Sequence, residues 1–195
     1  MKKYRVGVIG ATGMVGQRFV TLLQEHPWFD LAVLAASESS AGKTYQSAVA
    51  GRWAFPWPVP EKAAEMTVYD AADVNAVASQ CDFVFCAVNM DKAATRALEE
   101  RYAKAETPVV SNNSACRAVS DVPMLIPEIN AAHAPIIAAQ RRRLGTRRGF
   151  VAVKPNCSIQ SYVPALTPLR DFGIKAVSVC TYQAISGAGK TFDRF

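Results

Sequence analysis

No stretch of this sequence is apolar for long enough to cross a membrane. A spanning helix needs about 20 mostly apolar residues, and the 195 residues, 50% of them hydrophobic, contain no such run. The first residues, Met1 to Arg5, lead into a short strand-like run and lack the cleavage site of a signal peptide. Internal repeats and low-complexity segments are missing too. We therefore predict a globular, cytoplasmic protein without a membrane partner.

Metal-binding patterns are also missing. The sequence has two histidines and an odd number of cysteines, at positions 81, 86, 116, 157 and 180. They form no CxxC motif and no Cys/His cluster with the spacing of metal ligands. We expect no metal site, and we expect the cysteines to be reduced thiols, as is usual in the cytosol.

The net charge of +6 is unevenly distributed, because a short run from Arg141 to Arg148 holds five of the 22 basic residues. Such a run binds nucleic acid in some proteins. Here no aromatic residues are interleaved with the arginines, and no nucleic-acid-binding motif accompanies them. Cationic side chains also suit the C-terminus of a helix, which Gly145 would cap. We predict a solvated helix end and no nucleic-acid partner.

A glycine-rich turn follows the first predicted strand, residues 4–9, and precedes a predicted helix over residues 17–25. A strand, a glycine turn and a helix in this order predict a dinucleotide site, since glycines let backbone N–H groups approach a pyrophosphate at the helix N-terminus. Position 12 is Thr, so the spacing is not strictly GxGxxG, and glycines that only form a tight turn are the alternative. The predicted cofactor-binding residues are Gly10, Thr12, Gly13, Met14, Val15 and Gly16.

The second predicted strand, residues 29–36, runs into a polar segment from Ser37 to Lys43. An acidic residue at this point usually binds the ribose hydroxyls of NAD, and Glu38 favours that cofactor. Three hydroxyls and a lysine instead suit the 2′-phosphate of NADP. We predict NADP, with contacts from Ser37, Ser39, Ser40 and Lys43.

Strands and helices alternate along most of the remaining chain. This alternation predicts an α/β fold with a Rossmann-like, doubly wound and mainly parallel sheet. A helix over residues 161–170 and a strand over 175–184 would then open an incomplete α+β catalytic domain. We accordingly expect an NADP-binding domain at residues 1–155 and the truncated start of a catalytic and dimerisation domain at 156–195.

Two segments of this pattern carry candidate site residues. Pro155 stops an apolar run over residues 150–153, and Cys157 follows just before a segment that favours helix. A helix N-terminus favours an anion, hence a thiolate nucleophile, although most cysteines are simply buried. Arg117 follows another predicted strand, where open α/β sheets bind ligands. Its planar fork suits phosphate or carboxylate, and a surface ion pair is the alternative.

Six segments together resemble the aspartate-semialdehyde dehydrogenase family, in matching order and spacing. The last two in chain order are the most specific. They are Gly10-Ala-Thr-Gly-Met-Val-Gly16, Ala36-Ser-Glu-Ser-Ser-Ala-Gly-Lys43, Ser111-Asn-Asn-Ser-Ala-Cys-Arg117, Pro127-Glu-Ile-Asn130, Pro155-Asn-Cys-Ser158 and Thr181-Tyr-Gln-Ala-Ile-Ser-Gly-Ala-Gly189.

The resemblance implies roles for individual residues. Cys157 would be the nucleophile, and Gln183 would orient the bound acyl group. Arg117 and Asn156 would receive phosphate, while Ser186 and Gly187 would approach the nicotinamide. Many members carry a basic residue where Ser39 stands, which would weaken the contact with the 2′-phosphate here.

The resemblance also implies an activity, the reversible NADP-dependent interconversion of β-aspartyl phosphate and aspartate semialdehyde. Inorganic phosphate would be the co-substrate. The reaction would belong to lysine, threonine and methionine biosynthesis, and the intact protein would be a homo-oligomer. The family's general-base histidine and its substrate-binding Arg and Glu belong to a second half that this sequence lacks, and neither His26 nor His133 matches. The alternatives are a non-catalytic nucleotide-binding fragment and N-acetyl-glutamyl-phosphate reductase, which shares the fold and the thiol chemistry.

Overall fold

Six parallel strands form one sheet in the computed structural model, which describes residues 2–183. The strands are β1 (Tyr4–Ile9), β2 (Phe29–Ala36), β3 (Val68–Asp70), β4 (Phe83–Cys86), β5 (Val109–Ser111) and β6 (Val151–Val153). Their order across the sheet is β3-β2-β1-β4-β5-β6, and every neighbouring pair is parallel. The winding therefore reverses between β1 and β4, which creates the switch point where such sheets bind ligands. The predicted doubly wound, parallel Rossmann-like sheet is confirmed.

Eight α-helices connect or follow the strands of the described region. They are α1 (Met14–Leu23), α2 (Tyr45–Ala48), α3 (Glu61–Ala64), α4 (Val74–Ala78), α5 (Lys92–Lys104), α6 (Pro127–Asn130), α7 (Ile137–Leu144) and α8 (Cys157–Leu166). Three 3₁₀ turns lie at Glu38–Ser40, Ala131–Ile136 and Thr167–Phe172. None of the helices within residues 2–183 is long and apolar enough to cross a membrane.

The hydrophobic core consists of two clusters, and β1 contributes to both. Val6 and Val8 belong to one cluster and Ile9 to the other, because successive side chains of a strand point to opposite faces of its sheet. Helices α1, α2 and α3 supply the first cluster, and α4, α5 and α7 supply the second. Each fully buried Val, Leu or Ile side chain stabilises the fold by roughly 1.5–3 kcal/mol.

The predicted strand at 175–184 is wrong within the described residues. Residues 173–183 have no strand pairing there and are exposed to solvent, including Val177 and Val179. Their sequence alternates as a strand would, but an isolated extended segment has no partner for its N–H and C=O groups. Ala184 lies outside the described residues. The helix predicted after Cys157 is confirmed, although α8 begins at Cys157 itself.

The basic run lies at the end of α7, where Gly145 adopts the left-handed conformation with φ of 72°. This is the helix cap that the sequence predicts. Arg143 forms ion pairs with Asp121 and Glu100, and its neighbours Arg141 and Arg148 donate to backbone carbonyl groups. Three of the five arginines are therefore part of intramolecular contacts.

Glu106 stabilises the turn that leads into β6. Its carboxylate accepts backbone hydrogen bonds from Arg147, Arg148 and Gly149, at distances of 2.6–3.1 Å. These three donors hold the pKa of Glu106 below its usual value, because they favour the charged form of the carboxyl group.

This contact predicts a pH-dependent effect of Glu106→Gln on stability. A carboxyl group with a lowered folded-state pKa stabilises the fold above its unfolded pKa, about 4.3. That contribution is lost as the pH falls through the folded value. Urea unfolding should therefore show that Glu106→Gln is less stable than the unsubstituted chain at pH 7, with a smaller difference at pH 3. Glu25→Gln, at an exposed glutamate, is the control, and an equal difference at both pH values would contradict the prediction.

Candidate active site

Apart from Gln183, the predicted site residues that the structure describes lie in four segments at the carboxyl edge of the sheet. Residues 10–16 follow β1, residues 37–43 follow β2, residues 112–117 follow β5 and residues 154–157 follow β6. Since all six strands are parallel, these segments emerge on the same edge, where a ligand crevice is expected. Gln183 joins them from the end of the described chain. Ser186 and Gly187 lie outside the described residues.

The turn after β1 requires two of its glycines. The backbone N–H groups of Gly10 and Ala11 both donate to the carbonyl of Ala35, at 2.8 and 3.0 Å. Gly10 has φ of +83°, and a Cβ there would lie 2.5 Å from the carbonyl oxygen of Ala87. A Cβ on Gly16 would overlap the carbonyl oxygen of Gly10. The backbone of α1 therefore packs directly on the turn, which only glycine permits.

The exposed surface of this turn fits a pyrophosphate. Gly13, Met14 and Val15 are exposed at the start of α1, while Thr12 is buried. The first N–H groups of a helix have no partner within the helix, and its dipole favours negative charge. The absence of a capping side chain on Gly13 leaves these groups open to a ligand.

Gln17 is a buried residue that supports the turn. Its Nε2 donates to the carbonyl groups of Thr12 and Arg52, both at 3.0 Å, and its Oε1 accepts from the backbone N–H of Ala54 at 2.8 Å. It thus fastens the irregular segment after α2 to the glycine turn. We did not predict this role, although a polar side chain on the apolar face of a helix is a usable signal.

The segment after β2 presents hydroxyl groups and cations. The hydroxyl groups of Ser37 and Ser39 lie 3.0 Å apart, and Lys43 Nζ donates to the carbonyl of Ser39 at 2.8 Å. Ser40, which was predicted to contact the 2′-phosphate, is instead fully buried, and its hydroxyl accepts a hydrogen bond from Arg52 Nη2 at 3.2 Å. Arg52 was not among the predicted residues, because nothing in the sequence links it to a segment twelve residues earlier.

A buried carboxyl group supports the segment after β5. Glu99 of α5 is completely buried, and its Oε1 accepts from the hydroxyl of Ser111 and from Asn113 Nδ2. The Ser111 hydroxyl in turn accepts from the backbone N–H of Asn113 at 3.0 Å. Cys116 is buried close by. Burial raises the pKa of its thiol, with a further contribution from Glu99, to about 12, so Cys116 is a poor nucleophile.

Arg117 connects the segment after β5 to the segment after β6. Its Nε donates to the carbonyl of Lys154 at 3.0 Å, and its Nη2 lies 3.5 Å from the carbonyl of Asn112. The surface ion pair that was the alternative is not formed, because no carboxylate among residues 2–183 lies within ion-pair distance of Arg117.

Cys157 is the first residue of α8 and is exposed. Asn156 caps the helix, because its Oδ1 accepts from the backbone N–H of Ile159 at 2.8 Å. Its amide nitrogen is therefore the group left for a ligand. Gln183 Nε2 lies 3.0 Å from Cys157 Sγ, although 26 residues separate the two in sequence. The interpretation of Cys157 as a buried core cysteine is wrong, whereas Cys81, Cys86 and Cys116 are buried.

Neither described histidine contacts the thiol. The His26 ring stacks on Phe29 with centroids 4.5 Å apart, and His133 Nδ1 lies 3.4 Å from the carbonyl oxygen of Met124. Within residues 2–183, the hydrogen-bond partner of Cys157 Sγ is Gln183. No group of three or more His, Cys, Asp or Glu residues in that range is arranged to hold a metal ion.

Residues 5–136 match the family model described as the NAD binding domain of semialdehyde dehydrogenase. The chain belongs to this family. It is 44% identical over 189 residues to an aspartate-semialdehyde dehydrogenase of Archaeoglobus fulgidus, covering 96% of this chain and 52% of the relative. It is 40% identical over 189 residues to one of Saccharomyces cerevisiae, covering 94% and 50%. The chain spans about half the length of these relatives and corresponds to their N-terminal portion.

Solved structures of the family agree with the fold. An aspartate semialdehyde dehydrogenase from Candida albicans with NADP superimposes with a TM-score of 0.76 at 34% identity, covering 89% of this chain and 48% of that one. An aspartate semialdehyde dehydrogenase II from Vibrio cholerae, complexed with ASA, gives a TM-score of 0.72 at 30% identity, with 98% and 49% covered.

The glycine turn leads to a prediction that separates two neighbouring glycines. Gly16→Ala should reduce the free energy of unfolding by about 2 kcal/mol, because a methyl group meets backbone that cannot move independently. Gly13→Ala should reduce it by less than about 1 kcal/mol, since Ala is a poorer N-cap than Gly but a Cβ there is 3.5 Å from the nearest heavy atom. Urea unfolding of both variants measures the difference. Equal stability of the two would show that α1 does not pack on the turn as described.

Proposed function

We propose that this chain is the NADP-binding and nucleophile-bearing part of an enzyme that interconverts β-aspartyl phosphate and aspartate semialdehyde. The observation that carries the proposal is the 3.0 Å contact between Gln183 Nε2 and the exposed thiol of Cys157, at the N-terminus of α8. An exposed cysteine with a polar partner differs from the three buried cysteines of this chain. The names of the curated relatives support the choice of substrate.

The cofactor site of the proposal is the turn from Gly10 to Gly16 with the segment from Ser37 to Lys43. The glycine turn suits the pyrophosphate of the cofactor for two reasons. Side chains on Gly10 and Gly16 would clash with backbone, and the N–H groups of the first turn of α1 have no capping side chain. The hydroxyl groups of Ser37 and Ser39 and the ammonium of Lys43 suit the 2′-phosphate of NADP. When bound, NADP⁺ accepts the hydride that the substrate carbon releases. The contacts proposed for Ser186 and Gly187 lie outside the described residues.

Cys157 forms and breaks the covalent bond to the substrate in the proposed reaction. Its thiolate adds to the aldehyde carbon, and the carbonyl oxygen takes a proton, which gives a thiohemiacetal. Loss of a hydride from that carbon and of the hydroxyl proton leaves a thioester. A phosphate oxygen then attacks the thioester carbon, the C–S bond breaks, and β-aspartyl phosphate leaves while the thiolate is restored. Biosynthesis uses the reverse direction.

The remaining residues orient the reacting groups. The Gln183 amide donates a hydrogen bond to Cys157 Sγ and, in the proposal, orients the acyl group bound there. Arg117 and the amide nitrogen of Asn156 bind phosphate. Since neither His26 nor His133 contacts Cys157, the proposal assigns the proton acceptor to the second half of the intact enzyme. That half would also supply the contacts of a homo-oligomer, which we place in the cytoplasm. The boundary between the two domains would lie between residues 155 and 156.

The lack of a histidine at Cys157 favours a second candidate, a non-catalytic nucleotide-binding fragment. N-acetyl-glutamyl-phosphate reductase remains the alternative within enzymes, because it shares the thiol chemistry. Acylation distinguishes all three, since it needs the thiolate and an acyl phosphate but no hydride transfer.

The test is incubation of the 195-residue chain with β-aspartyl phosphate, followed by peptide mass spectrometry, beside a titration with NADPH. We expect NADPH binding and one aspartyl thioester on Cys157, which Cys157→Ser abolishes. N-acetyl-glutamyl phosphate should give no adduct at the same concentration. NADPH binding without acylation would support the non-catalytic fragment, and acylation by N-acetyl-glutamyl phosphate alone would replace the proposed substrate.

A further inference from the structure

Two cationic side chains belong to the segments after β5 and β6, and the second of these segments carries the candidate nucleophile. Arg117 comes from the segment after β5, and Lys154 lies three residues before Cys157. Arg117 Nε donates to the backbone carbonyl of Lys154 at 3.0 Å. The Lys154 ammonium donates to the carbonyl of Pro155 at 3.3 Å. The Lys154 side chain therefore folds along its own backbone in the direction of α8.

The position of Lys154 is fixed by the sheet. Its backbone N–H donates to the carbonyl of Ser111 at 3.1 Å, which continues the pairing of β5 with β6 by one residue. Its carbonyl is held by Arg117, and the next residue, Pro155, is buried. The side chain itself is half-buried. The backbone of Lys154 is therefore fixed, and partial burial leaves its side chain fewer rotamers to lose when it binds a ligand.

Neither cation has a carboxylate partner among residues 2–183. Arg143 shows the contrast, because it forms ion pairs with both Asp121 and Glu100. Burial lowers the pKa of Lys154, the Arg117 charge lowers it further, and Cys157 acts in the opposite direction. Two unpaired positive charges that repel each other at a partly buried position cost free energy, and a bound anion would offset that cost.

We propose that Lys154 is a second cationic ligand, beside Arg117, for the phosphate group that reacts at Cys157. The guanidinium of Arg117 offers a planar fork to two phosphate oxygens, and the Lys154 ammonium adds a point charge. Lys154 interacts electrostatically with Cys157, the first residue of α8, where the helix dipole also favours an anion. The identity of the anion as the co-substrate rests on the proposed function, whereas the positive field beside the thiol rests on the contacts above.

The rate of alkylation of Cys157 tests the proposal without turnover. Iodoacetate carries a carboxylate and iodoacetamide is neutral, so the ratio of their rates reports the positive field at the thiol. Lys154→Met should lower this ratio at Cys157 about fivefold, the size expected for one partly screened charge. Inorganic phosphate should protect Cys157 from iodoacetate in the unsubstituted chain and do so at least several-fold less well in Lys154→Met.

Three controls accompany the measurement. Cys180 is exposed in the same molecule, and peptide mass spectrometry should show its rate ratio unchanged. Lys104→Met removes the same charge from an exposed position at the C-terminal end of α5, just before β5 begins and so at the other edge of the sheet. It should leave the rate ratio at Cys157 unchanged. Lys154→Arg should retain the ratio. Urea unfolding verifies that each variant is folded.

The proposal is overturned if the rate ratio and the phosphate protection are unchanged in folded Lys154→Met. It is also overturned if Lys104→Met lowers the rate ratio and the protection as much as Lys154→Met does. If Lys154→Met lowers the rate ratio but phosphate does not protect Cys157 in the unsubstituted chain, phosphate is not the ligand of Lys154 and the proposal is overturned. The proposed function has a separate test, the acylation of Cys157 by β-aspartyl phosphate. The absence of acylation would contradict the proposed function whatever the alkylation rates are.

Discussion

The pairing of β5 with β6 is the constraint on which the candidate site depends. Ser111 ends β5, and its carbonyl accepts the backbone N–H of Lys154, one residue after β6. Arg117 then donates to the Lys154 carbonyl. These two bonds connect the polar segment after β5 to the segment that delivers Cys157. Because parallel strands carry both segments to the same edge, a thiol and a cation that are 40 positions apart in sequence belong to one site.

Two of the buried side chains below this edge, Glu99 and Gln17, are polar, which is costly unless their polar groups form hydrogen bonds. Glu99 accepts from Ser111 and Asn113, while its other oxygen, Oε2, has no hydrogen-bond partner in the described region. A carboxyl group placed completely inside the protein orders the backbone that leads to Arg117. Gln17 has the equivalent position below the glycine turn. Both candidate subsites therefore rest on a buried polar side chain from the neighbouring helix.

Local patterns predicted the sheet, the glycine turn and the position of Cys157 because each depends on residues close together in sequence. Gln17, Arg52 and Lys154 were missed, since their contacts join segments that only the folded sheet brings together. Hydrophobic alternation over 175–184 predicted a strand, but pairing needs a neighbouring strand that alternation cannot supply. The family resemblance alone suggested that Cys157 and Gln183 belong to one site, because nothing local in the sequence connects the two residues.

The central claim is that Cys157 is a nucleophile and that Gln183 orients the acyl group with which it reacts. The most direct measurement is the rate at which β-aspartyl phosphate acylates Cys157 in Gln183→Leu. Removal of a polar group that acts at the reacting centre should slow acylation by about tenfold or more, while Gln24→Leu, at an exposed glutamine, should react at the unsubstituted rate. An unchanged rate in Gln183→Leu would contradict the account.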